Sequence, residues 1–375
     1  MSLIYPGSED LVVNTKTPPG SQPLVRGEPI IKVDALSYLL WDVADLDKQQ
    51  EFLLDFGMLE AERTHERLLM KSYSGAPYVY VGRKAKKHRF AGMGFTTLSR
   101  DDLIKLAAHT GKNIEYLDRI GGGEMVSLKD PNGTTIEVTF GVTQSAPIPT
   151  RSDLTPVNTP SKKDRVNRSQ RAPLGPTPIM KLGHCVTGAN NIVDVCQWYM
   201  DHLGLIPSDV LCLEDASPIV AFLRLDRGDQ ASDHHCVVVG KGAGKGYLHS
   251  AYEVLDIDAI GQGQQYLKAK RYQHVWGIGR HILGSQLFDY WNDPAGCEFE
   301  HYADGDVFTS EHPTAYHPMD PGNTYAWGPD MPKEMLKPNA KQILAIVAGL
   351  FTGSVTFTWL KMALKVTSRP VRPWL

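Results

Sequence analysis

"NDPAGCEFEHY", residues 292–302, has a near-twin earlier in the chain, "DPNGTTIEV" at 130–138. In both, an Asp-Pro-x-Gly turn introduces a strand whose fourth residue after the glycine is a glutamate, Glu300 or Glu137. Side chains alternate along an extended chain, so Glu298, Glu300 and Tyr302 share one face and Cys297, Phe299 and His301 the other. If the glutamate face is the inward one, its carboxylates need a counter-charge such as a metal ion.

The repetition extends on both sides of this turn. "DLDKQQEFLLDFGM" (45–58) parallels "NIVDVCQWYMDHLGL" (191–205): each has an Asp or Asn cap, an apolar stripe at three-to-four spacing and a terminating glycine, Gly57 or Gly204. Each follows an apolar run that reads as a strand. "FAGMGFTTLSRDDLIKL" (90–106) lines up with "YLHSAYEVLDIDAIGQG" (247–263) as a strand leading into a second helix. The expected fold is α+β, a βαβββ-like module doubled within itself and present in two copies, at 30–142 and 178–305. Each copy should form a mixed, partly closed barrel-like sheet with flanking helices. Around them lie an N-terminal arm (1–29), a Pro/Ser/Arg-rich linker (143–177), an irregular arm (306–340) and an apolar C-terminal segment (341–375).

Composition excludes several classes. The formal net charge of -3 over 375 residues argues against a nucleic-acid binder, and the basic run "GRKAKKHR" (82–89) reads as a solvated hairpin. Five cysteines without C-x-x-C spacing point away from a disulfide framework and toward a reducing, cytoplasmic compartment. No basic stretch followed by an apolar core opens the chain, so no signal peptide is expected.

The two copies differ in their histidines. Position 184 is His where the first copy has Ser37 or a neighbour, and position 249 is His where the first copy has Gly92. Only the glutamates are shared, so Glu137 is expected to stand without partners. Two imidazoles and one carboxylate on three strands form the donor set of the facial triad of non-haem Fe(II) oxygenases. Candidate metal ligands are therefore His184, His249 and Glu300, with Glu298 nearer the turn as a neighbour or a solvent-facing group.

These residues, together with "WGIGRHILGSQLFDYWNDPAGCEFEHY" (276–302), resemble the type I extradiol ring-cleaving dioxygenases of the vicinal oxygen chelate (glyoxalase/bleomycin-resistance) superfamily. The resemblance spans about 30–305 and is sharpest in the second copy. It implies Fe(II), with Mn(II) as the other ion suited to the donor set, O2 as co-substrate and a small catecholic substrate. It also implies that His235 is the acid-base residue and that His281 and Tyr290 act on bound oxygen and substrate. His234, next to His235, is expected on the opposite, surface face of its strand. Phe288 and Trp291 are read as core rather than substrate cradle. The alternatives are a glyoxalase-like metal-dependent isomerase or transferase, and a non-catalytic binding protein on the same fold.

The arm, with His312, Tyr316, His317 and Tyr325, is a candidate cover for the cavity mouth. In the tail, "ILAIVAGLFTGSVTFTWL" (343–360) is uncharged over 18 residues, just long enough to span a bilayer. "TGSVTFTW" within it also alternates as a strand would. A packing extension at a subunit contact, with the protein a homo-oligomer, is preferred to membrane association.

Overall fold

The computed structural model describes residues 24–151, 157–171, 174–241, 246–319, 324–332, 340–353 and 355–367. Parts of the expected N-terminal arm, linker, irregular arm and tail lie outside the described residues.

The first copy runs β1 (Ala35–Val43), α1 (Leu46–Phe56), β2 (Leu59–Arg63), β3 (Arg67–Lys71), β4 (Tyr80–Lys84), then β5 (Arg89–Thr96), α2 (Arg100–Thr110), β6 (Glu115–Tyr116), β7 (Glu124–Lys129), β8 (Thr135–Phe140). The second repeats the pattern with β9 (Lys181–Ala189), α3 (Ile192–Leu203), β10 (Ile206–Cys212), β11 (Pro218–Arg224), a short β12 (Ser232–Asp233) and β13 (Val237–Lys241). It continues with β14 (Gly246–Glu253), α4 (Ile257–Ala269), β15 (His274–His281), β16 (Leu287–Asn292) and β17 (Glu298–Ala303). The expected caps are in place. Asp45 accepts from the Lys48 N–H and Asn191 from that of Asp194, while Gly57 and Gly204 end their helices at φ 111° and 73°.

The first sheet has strand order β2-β3-β4-β1-β5-β8-β7-β6. The second has β10-β11-β13-β9-β14-β17-β16-β15 at its centre. In both, the two inner strands, β1 and β5 or β9 and β14, are antiparallel, and each pairs in parallel with the last strand of its own unit. This is the expected α+β architecture of paired βαβββ units, with sheets that do not fully close.

Register narrows one assignment. Ala251 lies opposite both His184 and Glu300, and its counterpart Gly94 lies opposite Tyr38 and Glu137. The counterpart of His184 is therefore Tyr38, the neighbour of Ser37. A register shift in β1 between Leu36 and Tyr38 takes Ser37 out of the ladder, and a bulge of this kind leaves no mark in residue spacing. His249 opposite Glu298 does correspond to Gly92 opposite Thr135, as the sequence suggested.

The two copies share one core. On the far side of β17 from Glu300, Phe299 packs against Trp41, Phe52 and Phe56, and the His301 ring stacks on Phe56 with centroids 3.9 Å apart. His301 Nε2 is also 2.8 Å from the Phe56 carbonyl oxygen. The expected hairpin does not form: the "GRKAKKHR" run connects β4 to β5 across the edge of β1, which lies between them, and His88 is mostly buried against Trp41 and Asp293, so the run is not solvated throughout.

Beyond β17, three short strands, β18 (Val307–Phe308), β19 (Ala315–Pro318) and β20 (Tyr325–Trp327), join the second module. β19 extends the sheet beside β10 and β20 beside β15, while β18 pairs with β12. The uncharged run 343–360 does not form one span. It is divided between helices Ala340–Thr352 and Phe357–Thr367, and Gly353, at φ 76°, ends the first. Among the described residues no helix is long and apolar enough to cross a membrane.

Candidate metal centre

His184, His249 and Glu300 project from three adjacent strands, β9, β14 and β17, into the concave side of the second sheet. His184 Nε2 is 3.3 Å and His249 Nε2 3.4 Å from Glu300 Oε2. The Glu300 side chain is completely buried, yet neither of its oxygens makes a hydrogen bond. A buried carboxylate left this way costs several kcal/mol, on the order of an unpaired ion. Donors bound to one ion by bonds of about 2.1 Å sit about 3.0–3.4 Å apart, so the pocket fits a divalent cation with little movement. Two neutral imidazoles and one carboxylate would leave a divalent ion one net positive charge. Burial opposes ionisation of Glu300, but the two facing imidazoles outweigh it and hold the carboxyl below its usual range.

The first copy solves the same electrostatic problem without a metal. Arg119 grips Glu137 with both terminal nitrogens, at 2.7 and 2.9 Å, and the Tyr38 hydroxyl donates to it at 2.6 Å. Glu137 is thus fully partnered, contrary to expectation. Its partner Arg119 lies in the loop between β6 and β7, outside the strands that the repeat aligned. A side chain at Gly92 would meet the Thr135 carbonyl oxygen at 2.2 Å, so a histidine matching His249 does not fit there.

The centre opens into a cavity of about 230 Å³. Its walls are Val186, Leu211, Val220, Phe222, Trp276, Leu283, Met319 and Met331, with His235, His281 and Tyr290 as polar groups. Met319, Thr324 and Met331 come from the arm, which therefore covers the cavity. A larger cavity, about 520 Å³, lies beside the first copy's Tyr38 and Tyr78 and contains none of these groups.

The structure brings together every candidate site residue. His235 is buried with its ring 4.2 Å from that of His184. Burial, reinforced by the surrounding histidines, keeps it neutral by pushing its pKa well below the ordinary value. His281 is likewise lowered, chiefly by burial. Its Nδ1 lies 2.8 Å from the Thr324 carbonyl oxygen, so in the neutral ring Nδ1–H donates there and Nε2 accepts from the Tyr290 hydroxyl at 2.9 Å. Tyr290 is held protonated by burial and by the Glu300 charge.

His234 is not on the surface. It lies past the end of β12, where strand alternation no longer applies, and it is buried between His235 and Asp209. Its Nε2 is 2.6 Å from Asp209 Oδ2, and its Nδ1 is 2.8 Å from His235 Nδ1. With both rings neutral, Asp209 fixes the proton on His234 Nε2, so His234 Nδ1 accepts from His235 Nδ1–H. His235 Nε2 then carries a free lone pair. Asp209 also receives His317 Nε2 at 2.8 Å from the arm. Burial would raise Asp209, but these two histidines overcome it and hold the carboxyl well below the usual range. Asp209 and Trp276 were missed in the sequence because neither stands at a repeated position. Phe288 is fully buried but stacks on His281 at 4.2 Å, and Trp291 lies in the main core.

No family model matches the chain. Over 319 residues it is 27% identical to metapyrocatechase 2 of Cupriavidus necator, covering 81% of this chain and 92% of that protein. Its fold is similar to that of the Mn(II)-bound glyoxalase from Novosphingobium aromaticivorans, with a TM-score of 0.69 at 23% identity over 82% of this chain and 96% of that one. It is equally similar to homoprotocatechuate 2,3-dioxygenase from Brevibacterium fuscum in complex with 3,4-dihydroxyphenylacetate, with a TM-score of 0.69 at 17% identity over 84% and 94%. The chain is thus similar in sequence to a metapyrocatechase, shares the fold of these solved structures through its four βαβββ units, and sets two histidines and a glutamate together on β9, β14 and β17.

Proposed function

We propose that the second module is an Fe(II)-dependent extradiol dioxygenase in which His184, His249 and Glu300 hold the ion and His235, His281 and Tyr290 handle protons. The observation that carries this reading is a buried, hydrogen-bond-free Glu300 facing two imidazoles at the end of an apolar cavity. An Fe(II) ion held by His184, His249 and Glu300 would supply the Lewis-acid and redox chemistry that the reaction of a diol with O2 requires. The C–C bond next to the diol breaks, and both atoms of O2 are retained in a ring-opened semialdehyde or keto acid. His235 Nε2 takes a phenolic proton and later returns one to the departing oxygen. Tyr290, held protonated, turns its single proton from His281 Nε2 to a substrate oxygen when the substrate binds.

The cavity supports a substrate class. An apolar cavity of about 150 Å³ takes one benzene, so about 230 Å³ accommodates one ring with a short substituent. No Lys or Arg is among the described residues that line it, which favours alkyl- or halo-catechols over carboxylated ones. Iron is preferred to manganese for the redox step, although the donor set suits both. All five cysteines are free, which supports a reducing, cytoplasmic setting. The exposed Ile343, Leu344, Phe351 and Phe357 support a subunit contact by the C-terminal helices, with a membrane surface as the competing partner. Sedimentation velocity and liposome flotation of the full chain separate these two.

The deciding experiment loads anaerobically purified protein with Fe(II) and adds catechol, 3-methylcatechol, 4-methylcatechol and 3,4-dihydroxyphenylacetate in oxygenated buffer. One O2 consumed per yellow product, lost in His249→Ala, is the expected result. Iron binding without oxygen uptake sinks the reading. The likeness to the glyoxalase favours a metal-dependent isomerase as the second reading, which would convert a hemithioacetal with no oxygen consumed.

A further inference from the structure

A second set of donors lies where the two modules meet. His88 comes from the β4–β5 connection of the first module, and Asp293 and Cys297 from the Asp-Pro-Ala-Gly-Cys turn before β17. One donor atom from each lies within 4.8 Å of the others. Asp293 Oδ1 is occupied by the backbone N–H groups of Ala295 and Cys297, at 2.9 and 2.8 Å. Its Oδ2 is free of hydrogen bonds, as is His88 Nε2, although the Asp293 side chain is 0% and that of His88 10% exposed. The two atoms face each other at 3.3 Å.

That distance has an internal standard. Among the described residues, three histidine–carboxylate pairs are hydrogen-bonded, His234–Asp209 at 2.6 Å and His317–Asp209 and His274–Asp289 at 2.8 Å. The pairs at the catalytic centre stand wider, at 3.3 and 3.4 Å, without a hydrogen bond. His88–Asp293 falls in the second group. Tetrahedral bonds of about 2.0–2.1 Å to N and O and about 2.3 Å to S place such donors about 3.4–3.6 Å apart.

We infer that His88, Asp293 and Cys297 form a second metal site, structural rather than catalytic, which ties the two modules together through a borderline-soft divalent cation of the Zn(II) type. Imidazole and thiolate select such an ion over the hard ions suited to carboxylates alone. The donor sets also separate the two sites, because the catalytic centre offers no sulfur. The thiol gives up its proton to solvent when the ion binds, and three protein ligands leave one position for water.

The test is an anaerobic Co(II) titration of the full chain followed by absorbance. Two equivalents are expected, one of them with a near-ultraviolet thiolate-to-cobalt charge-transfer band. Cys297→Ser should abolish that band and one equivalent, keep the other, and change Fe(II)-supported catechol turnover less than about twofold. His249→Ala should keep the band and lose the other equivalent, so failure of the dioxygenase reading leaves this result legible. His88→Gln should weaken the banded equivalent at least tenfold, and it answers the question if Cys297→Ser does not fold. A single equivalent without a band, or a band that survives Cys297→Ser, reduces the cluster to a buried ion pair and overturns the inference.

Discussion

The Tyr38 hydroxyl donates to Glu137 across 2.6 Å at the strand position where, in the other module, His184 faces Glu300 across 3.3 Å. One topological position thus serves as a closed hydrogen bond in one copy and as an open ligand pair in the other. Arg119 completes the closed version. Removing it leaves a buried carboxylate uncompensated, so Arg119→Ala should cost about 3–5 kcal/mol of stability. Metal content measured on the folded fraction should not change. A loss of metal together with stability would mean that the first module takes part in the centre.

His235→Ala should lower kcat about 10²- to 10⁴-fold, the usual worth of a positioned proton acceptor, while iron stoichiometry stays at the wild-type value. His234→Ala acts one step removed, by freeing the His235 proton to choose either nitrogen. A smaller kcat loss, with KM nearly unchanged and a displaced pH–rate profile, is the signature to look for. Equal losses of kcat and iron in either variant would assign these histidines to metal retention instead.

Val220 lines the cavity, and Val220→Phe would fill part of it. Relative to catechol, kcat/KM for 4-alkyl catechols should fall about tenfold, in line with discrimination by a few methylene groups. Competitive steady-state assays on catechol and 4-ethylcatechol read this ratio directly, and an unchanged ratio would place the substituent elsewhere.

Asp226 fastens three segments. Arg26 Nη2 and Lys32 Nζ approach its carboxylate at 2.7 and 2.8 Å, and Ser310 hydrogen-bonds it from the arm. Burial alone would raise its pKa, but Lys32, Ser310 and Arg26 together bring it down to about 2. A carboxyl depressed in the folded state contributes its stability in full above the unfolded value, about 3.9, and loses it as pH falls toward the folded one. Because Arg26 and Lys32 are half exposed, the contribution is about 1–2 kcal/mol. Asp226→Asn should therefore lower Tm at pH 6 and make no difference near pH 2, as read by thermal melts across that range.

Much of this was legible because the chain repeats itself. The Asp-Pro-x-Gly turns aligned Glu137 with Glu300, and the contrast with Gly92 exposed His249 as an addition. Spacing failed where the backbone leaves regular geometry. A bulge in β1 displaced Ser37 in favour of Tyr38, and the end of β12 turned His234 inward. Partners separated widely in sequence left no local mark. Arg119 reaches Glu137 from a loop, and Asp209 meets His317 from a strand more than a hundred residues away. In the tail, hydropathy registered an uncharged run but not the helix end at Gly353.

The reciprocal packing of the modules bears on how the enzyme could be divided. Asp130 receives the Tyr199 hydroxyl at 3.3 Å and Asn132 donates to the Gly188 carbonyl at 3.1 Å, while the face of β17 behind Glu300 rests on Phe52 and Phe56. Neither half can be released without baring aromatic surface that the other half covers. The ends of the linker are fastened to both modules, Ser145 and Ile148 to Gly75 and Tyr73 and Arg151 to Asp256, but its middle adds little to this union, since residues 157–171 are mostly exposed. Proteolytic nicking there should yield two fragments that co-purify, melt together and still turn over catechol, so the chain behaves as a heterodimer that happens to be translated in one piece.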